Sequence, residues 1–572
     1  MLQSGKINLY TYPLCVSLWV ACATDLGFAQ VRKHVPGDEE IIMKKLILSA
    51  AIASMALNTA IAQTATPEME KIKNIIVMIG DGMGPQQVGL LDSYVRYSKN
   101  PQIKQSAFQR LADEGIIGIA RTEPHEGLVV DSAASSTQFS SGEMAGSEMI
   151  GVNYKGDATT SMLEIAQKKG KAVGLITDTR MTHATPATYA AHLKHRKYEN
   201  EIAEEMLAHN VDVMLAGGLR HWIPKSANDK EGALHKQLSD MTRGNIRIKS
   251  KRKDEKNLLE MAKKQGYDLS FDKESLEKSQ SNKILGLYSY SAMLDGITYN
   301  QTRNDPDRIQ PTLTEMTNKA LSVLEKDEDG FFLMVEGGQI DWAAHDNDAG
   351  SVLHEMIKFS DAINAVMDWM KGRDDTLLVV SADHETGGFG FAYSRNDLPE
   401  GKPLSGNIFN GDEFKPQWNF GDLNTLDKLY AQKKSYNNLF REFDALGKEN
   451  KTPENLQKIV NANTGFPITL DEARRILETE KNNYRVKGHT YLDSKKFPRF
   501  EEREEFFVYG SELRKNLLAV VTGKYANIVW ATDNHTSTPV YVFAYGPESA
   551  EKPFATIQHS TDWANKLINL MK

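Results

Sequence analysis

Six short apolar runs dominate the fold problem posed by this chain, at residues 73–79, 172–177, 211–215, 331–335, 376–381 and 540–544. Most are too short for helices, and helical periodicity fills several of the intervals between them. Strand alternating with helix predicts an α/β fold, a three-layer α/β/α sandwich around a largely parallel sheet. In such sheets ligands collect at the carboxyl ends of strands. Asp81, the stretch 177–185, Glu336 and Asp383 all fall at those ends.

The segment 335–345 is the richest. Glu336 follows an apolar run, and Asp341 and His345 are four apart at the start of a predicted helix, so they share a face and can grip one ion. A carboxylate with an imidazole suits zinc, and a carboxylate alone suits magnesium. An exposed acidic loop leading into an amphipathic helix is the plainer alternative. Asp383-His384 ends another strand before a Gly turn, where adjacent residues can wrap one ion or His384 can serve the loop alone. His535 precedes the strand at 540–544 and can close a metal site from far along the chain, although a lone histidine is more often structural.

Ser132 follows Asp131 among small residues that suit a tightly packed helix start. Amides at a helix N-terminus bind phosphate-like anions, but a Ser beside an Asp is more commonly a simple cap. His183 and Thr185, then Arg196 in a cationic stretch, supply a hydroxyl and a guanidinium able to clamp phosphate oxygens.

Two stretches break the rhythm. Residues 225–283 are rich in Lys, Asp and Glu and are expected as a charged surface insertion. Residues 394–528 are expected as a helical surface-loop insertion: Leu426 to Leu446 reads as one stripe, Thr452-Pro453 opens a second helix, and Thr469 with Glu472 caps a third. A self-contained excursion without chemistry is the favoured reading of this part.

The net charge of -8 contains no long basic block, which argues against a nucleic-acid partner. Residues 43–62 have the basic start, apolar middle and small-residue cleavage pattern of a signal peptide. Met43 is the expected start, with 1–42 not translated, a mature chain from Gln63 without a membrane span, and a periplasmic or secreted location. Both cysteines, Cys15 and Cys22, lie in that leader, so no disulfide is expected.

Taken in order, Gly80-Asp81-Gly82-Met83-Gly84, Asp131-Ser132-Ala133-Ala134-Ser135, His183-Ala184-Thr185-Pro186-Ala187, Glu336 to His345, Asp383-His384-Glu385-Thr386-Gly387-Gly388 and His535 resemble bacterial alkaline phosphatase. The resemblance implies a phosphomonoesterase that releases inorganic phosphate through a covalent phosphoserine, with two Zn2+ and one Mg2+. It makes Ser132 the nucleophile and Arg196 the phosphate clamp, steadied by Asp131. Asp341, His345 and His535 would hold the first zinc, Asp81, Asp383 and His384 the second, and Asp81, Thr185 and Glu336 the magnesium. His183 and Trp342 match a branch with His and Trp at these places, set near the phosphate through water; the long insertion implies a homodimer. A related phosphodiesterase or another hydrolase of the superfamily is the alternative.

Overall fold

The computed structural model describes residues 72–501 and 503–571. The expected leader, with Cys15 and Cys22, lies outside the described residues. Ten strands form the central sheet: β1 (Asn74–Gly80), β2 (Ile116–Arg121), β3 (Ala172–Arg180), β4 (Val213–Gly217), β5 (Asp268–Ser270), β6 (Ile284–Leu287), β7 (Phe331–Gly337), β8 (Thr376–Ala382), β9 (Val540–Tyr545) and β10 (Ile557–His559). Their order is β10-β2-β9-β8-β1-β7-β3-β4-β6-β5, and every pairing is parallel except the two made by β9. Helices flank the sheet, with Ala349–Trp369 against Leu313–Leu324 and Pro85–Tyr97 in one group, and Ser560–Met571 against Ser132–Ser141 and Met162–Lys168 in another.

The central strands β1, β7 and β8 are buried at every residue, which explains their unbroken apolar sequences. Their register positions the site. Gly80 pairs with Gly337 of β7 and with Ala382 of β8, while Glu336 pairs with Thr177 of β3. The chain therefore leaves three neighbouring strands at one level, carrying Asp81, Glu336 and Asp383 together.

Residues 225–283 are built into the sheet rather than applied to its surface. They supply β5, and Leu258, Leu259, Ala262 and Leu276 are buried in the main core while most of the charged residues, Arg252 and Asp272 excepted, are exposed or half-buried. The stripe from Leu426 to Leu446 is two helices, Asn424–Tyr430 and Tyr436–Ala445, because the hydroxyl of Ser435 accepts the Asn438 N–H and starts a new one. Helix Pro453–Asn463 opens after Thr452, and Thr469 with Glu472 forms the capping box of Leu470–Leu477.

The 394–528 region is not self-contained. Gln432 and the Tyr436 N–H donate to Asp348, the cap of helix Ala349–Trp369, and Asn516 donates to the carbonyl of His345 at 2.8 Å.

Candidate metal centre

Glu336, Asp341 and Asp383 are each held by donors from a neighbouring segment. Gly82 adopts φ +71°, and a Cβ there would sit 2.8 Å from the Asp341 Cα, so only glycine lets the loop after β1 approach the helix Gln339–His345. The Gly82 N–H donates to Asp383 Oδ1 at 2.9 Å, as does the N–H of His384. Thr386 donates to Asp341 Oδ1 at 2.6 Å. Thr177 and Thr179 both donate to Glu336 Oε2.

These contacts leave a definite set of oxygens over. Both carboxylate oxygens of Asp81, Oε1 of Glu336 and Oδ2 of Asp383 are buried without a hydrogen-bond donor. Burial, then the neighbouring Asp383, Asp341 and Glu336, pushes the Asp81 carboxyl well above its usual pKa. Converging buried carboxylates with bare oxygens are costly unless cations join them.

The imidazoles are turned toward the same points. His345 Nδ1–H donates to the Asp533 carbonyl and His535 Nδ1–H donates to that of Val130 at 2.7 Å. That leaves both Nε2 atoms facing inward, 3.3 Å apart, a second-sphere arrangement typical of metal-binding histidines. His345 Nε2 lies 3.2 Å from Asp341 Oδ2, and His535 Nε2 lies 3.7 Å from Asp341 Oδ1. Burial and the nearby His384 hold His535 down to about 3, so it stays a neutral ligand. The short ladder pairing His535 with Thr386 brings it beside His384, whose ring it stacks on.

Three donor groups result. Asp341, His384 and His535 form the first group, and His345 lies beside it, 3.2 Å from Asp341 and 3.3 Å from His535. Asp81, Asp383 and His384 form the second group. Asp81, Glu336 and His183 form the third, with His183 Nδ1 at 3.9 Å from each carboxylate. The donors, mixed carboxylate and imidazole with orphaned oxygens, fit divalent cations. Thr185 is buried in the turn after His183, where its hydroxyl accepts from Ser136 at 3.3 Å.

Ser132 opens the helix Ser132–Ser141 and is 1% exposed. The cap is Asp131, whose Oδ1 accepts the N–H groups of Ala133 and Ala134. Ser132 Oγ is thereby freed to face the site, 3.3 Å from His384 Nε2. Arg196, 27% exposed, places its guanidinium 3.7 Å from Asp131 and 3.3 Å from His183 Nε2. Trp342 stands edge-on to His183 at 5.8 Å and lines a cavity of about 490 Å³ with Gln339, Asp295, Asn438 and Arg441.

Sequence reading missed the orienting groups Thr177, Thr179, Thr386 and the carbonyls of Val130 and Asp533. It also missed Tyr509, whose ring meets His345 edge-on at 5.0 Å from within the long insertion. The threonines carried a signal, since they follow the same strand ends as the ligands.

A parallel sheet that gathers buried carboxylates and imidazoles beside a helix-initial serine defines a metal-dependent hydrolase of phosphate esters. The chain belongs to the alkaline phosphatase family, whose model matches residues 72–572. Alkaline phosphatase 3 of Bacillus subtilis is 35% identical over 364 residues, 60% of this chain and 70% of its own length. Alkaline phosphatase 4 of the same organism is 27% identical over 92% of this chain and 95% of its own. The cold-active alkaline phosphatase of Shewanella sp. superposes with a TM-score of 0.61 at 26% identity, covering 87% of this chain and 100% of that one. The protein is a metal-dependent phosphomonoesterase, an enzyme of the class that works through a covalent phosphoserine.

Proposed function

We propose that Ser132 is the nucleophile of this phosphomonoesterase. The observation that carries the reading is the position of its buried hydroxyl, 3.3 Å from His384 and aimed among the three donor groups. Asp341, His345 and His535 would hold one Zn2+, Asp81, Asp383 and His384 a second, and Asp81 with Glu336 and Thr185 an Mg2+. When bound, such ions supply a lowered serine pKa and positive charge for the oxygens entering and leaving phosphorus.

The chain's own groups do the rest. Arg196 grips two phosphate oxygens at the mouth of the site, and Asp131 holds that guanidinium while capping the helix that carries Ser132. One carboxylate thus sets both nucleophile and clamp. Ser132 Oγ attacks phosphorus in line, its proton passing to the oxygen of the departing alcohol; water then attacks the phosphoserine, its hydroxyl going to phosphate and its proton to Ser132 Oγ. His183 and Trp342 support assignment to the branch with His and Trp near the phosphate. His183, beside Asp81 and Glu336, also allows zinc in place of magnesium at the third site.

Exposed Tyr393, Ile408, Trp418 and Phe420 in or beside the long insertion support a homodimer in which it meets a second subunit. The 43–62 pattern supports export to the periplasm or medium. Among the described residues no helix is long and apolar enough to cross a membrane.

Purified chain and its Ser132→Ala form, with metal analysis, test the assignment. Turnover of nitrophenyl phosphate well above that of its diester is expected, falling on the order of 10⁴-fold or more in the variant. Equal monoester turnover by both would exclude Ser132.

A further inference from the structure

A second set of metal donors lies outside the centre described above. Glu164, His192 and His209 come from three separate segments and are 17%, 18% and 25% exposed at their side chains. Glu164 Oε2 is 3.7 Å from His192 Nε2, and Glu164 Oε1 is 3.9 Å from His209 Nδ1. All three ligand atoms fall within 4.8 Å of one another. A tetrahedral zinc with ligands at about 2.0–2.1 Å has donor atoms about 3.3 Å apart, so side-chain closure by up to about 1.5 Å would complete the grip. Two imidazoles, one carboxylate and a water are a common zinc set.

The scaffold is fixed at each point. Glu164 belongs to a capping box, with its Oε2 accepting the Ser161 N–H at 2.8 Å. The His192 N–H donates to Glu205 Oε2 at 2.6 Å. His209 is the C-cap of helix Glu199–Ala208, and its carbonyl accepts from Gln167 at 2.8 Å. Glu164 and Glu205 together carry the charge that a divalent cation would cancel.

We propose that Glu164, His192 and His209 form a structural zinc site, separate from the catalytic ions. His192 Nε2–H donates to the Thr159 carbonyl at 2.9 Å. Zinc competes with that proton, so occupancy rises with pH. The ion would tie helix Met162–Lys168 to the end of helix Glu199–Ala208, and through His192 would stiffen the segment that leads to Arg196.

The test dialyses the full chain and its His209→Gln form against zinc and counts bound zinc per chain. Wild type is expected to hold one zinc more than the variant, with phosphatase turnover changed less than about threefold and the extra ion released first as pH falls from 8 to 6. The catalytic ions are common to both chains, so the difference stands even if their assignment fails; in that case it is Ser132→Ala that keeps its turnover. Equal zinc in two folded chains overturns the site. Should the variant not fold, zinc-edge anomalous scattering from wild-type crystals decides: a peak between Glu164 and His209 supports the site, and none at zinc levels that fill the catalytic centre overturns it.

Discussion

Two buried acidic clusters lie either side of Gly338, and they solve the same electrostatic problem in opposite ways. Asp178 accepts the Gly338 N–H at 2.8 Å with one oxygen and meets Lys358 Nζ at 2.8 Å with the other, and Lys358 also pairs with Glu355. That cluster contains its own cation. Among the described residues, Asp81, Glu336, Asp341 and Asp383 have no lysine or arginine in their ion pairs, only histidines, and Asp81, Glu336 and Asp383 keep bare oxygens. A folded chain can hold buried carboxylates without a metal when it encodes the counter-charge. Where it does not, the counter-charge is expected from solution, and that difference separates support from chemistry.

Chelation should break the comparison most widely. Removing metal is expected to lower monoester turnover on the order of 10⁴-fold, about 5–6 kcal/mol of barrier, with recovery on adding zinc plus magnesium. Undiminished turnover in metal-free protein would mean that the bare oxygens serve some other purpose. The self-neutralised cluster should respond to mutation instead: Lys358→Met leaves two acids unpaired and should cost about 3–4 kcal/mol in urea unfolding, whether or not metal is present.

A third acid sharpens the rule. Burial alone would raise Glu199, but Arg180 at 2.7 Å, His221 at 3.3 Å and Arg220 at 3.7 Å hold it down to about 2. Its folded pKa lies below the ordinary 4.5, so the stability it adds is complete above pH 4.5 and is lost as pH falls toward 2. Glu199→Gln should therefore lose about 2–3 kcal/mol at pH 7 and almost nothing near pH 2, by denaturant titration at both. The smallest effect is expected from Thr177→Val, which leaves Glu336 Oε2 only the more distant Thr179 hydroxyl and should weaken binding at the third site on the order of 10-fold by magnesium titration. Unchanged affinity would show that the Thr177 hydroxyl does not orient Glu336 for the ion.

Most of the sheet was legible because strands buried on both faces must be apolar throughout, as β1, β7 and β8 are. The strands that escaped notice are β2, β5, β6 and β10. β2 alternates between buried and exposed and carries Gly118, while the other three have only three or four residues, too few to establish a period. Asp81, Glu336 and Asp383 stood out in the sequence for a related reason: polar residues at the ends of apolar strands are conspicuous. The Val130 and Asp533 carbonyls have no side-chain signature, and nothing in a linear pattern says that residue 509 returns to His345. The split at Ser435 was hidden because both helices present leucine and aromatic residues to one core.

His535 and the Val130 carbonyl that orients it are 405 positions apart. A chain delivered from its N-terminus can pair β1 with β7 and β8 while this histidine is still unmade. The group of Asp341, His345 and His535 is thus completed late in the molecule's assembly, whereas the donors of the other two groups are all made once the chain has passed His384.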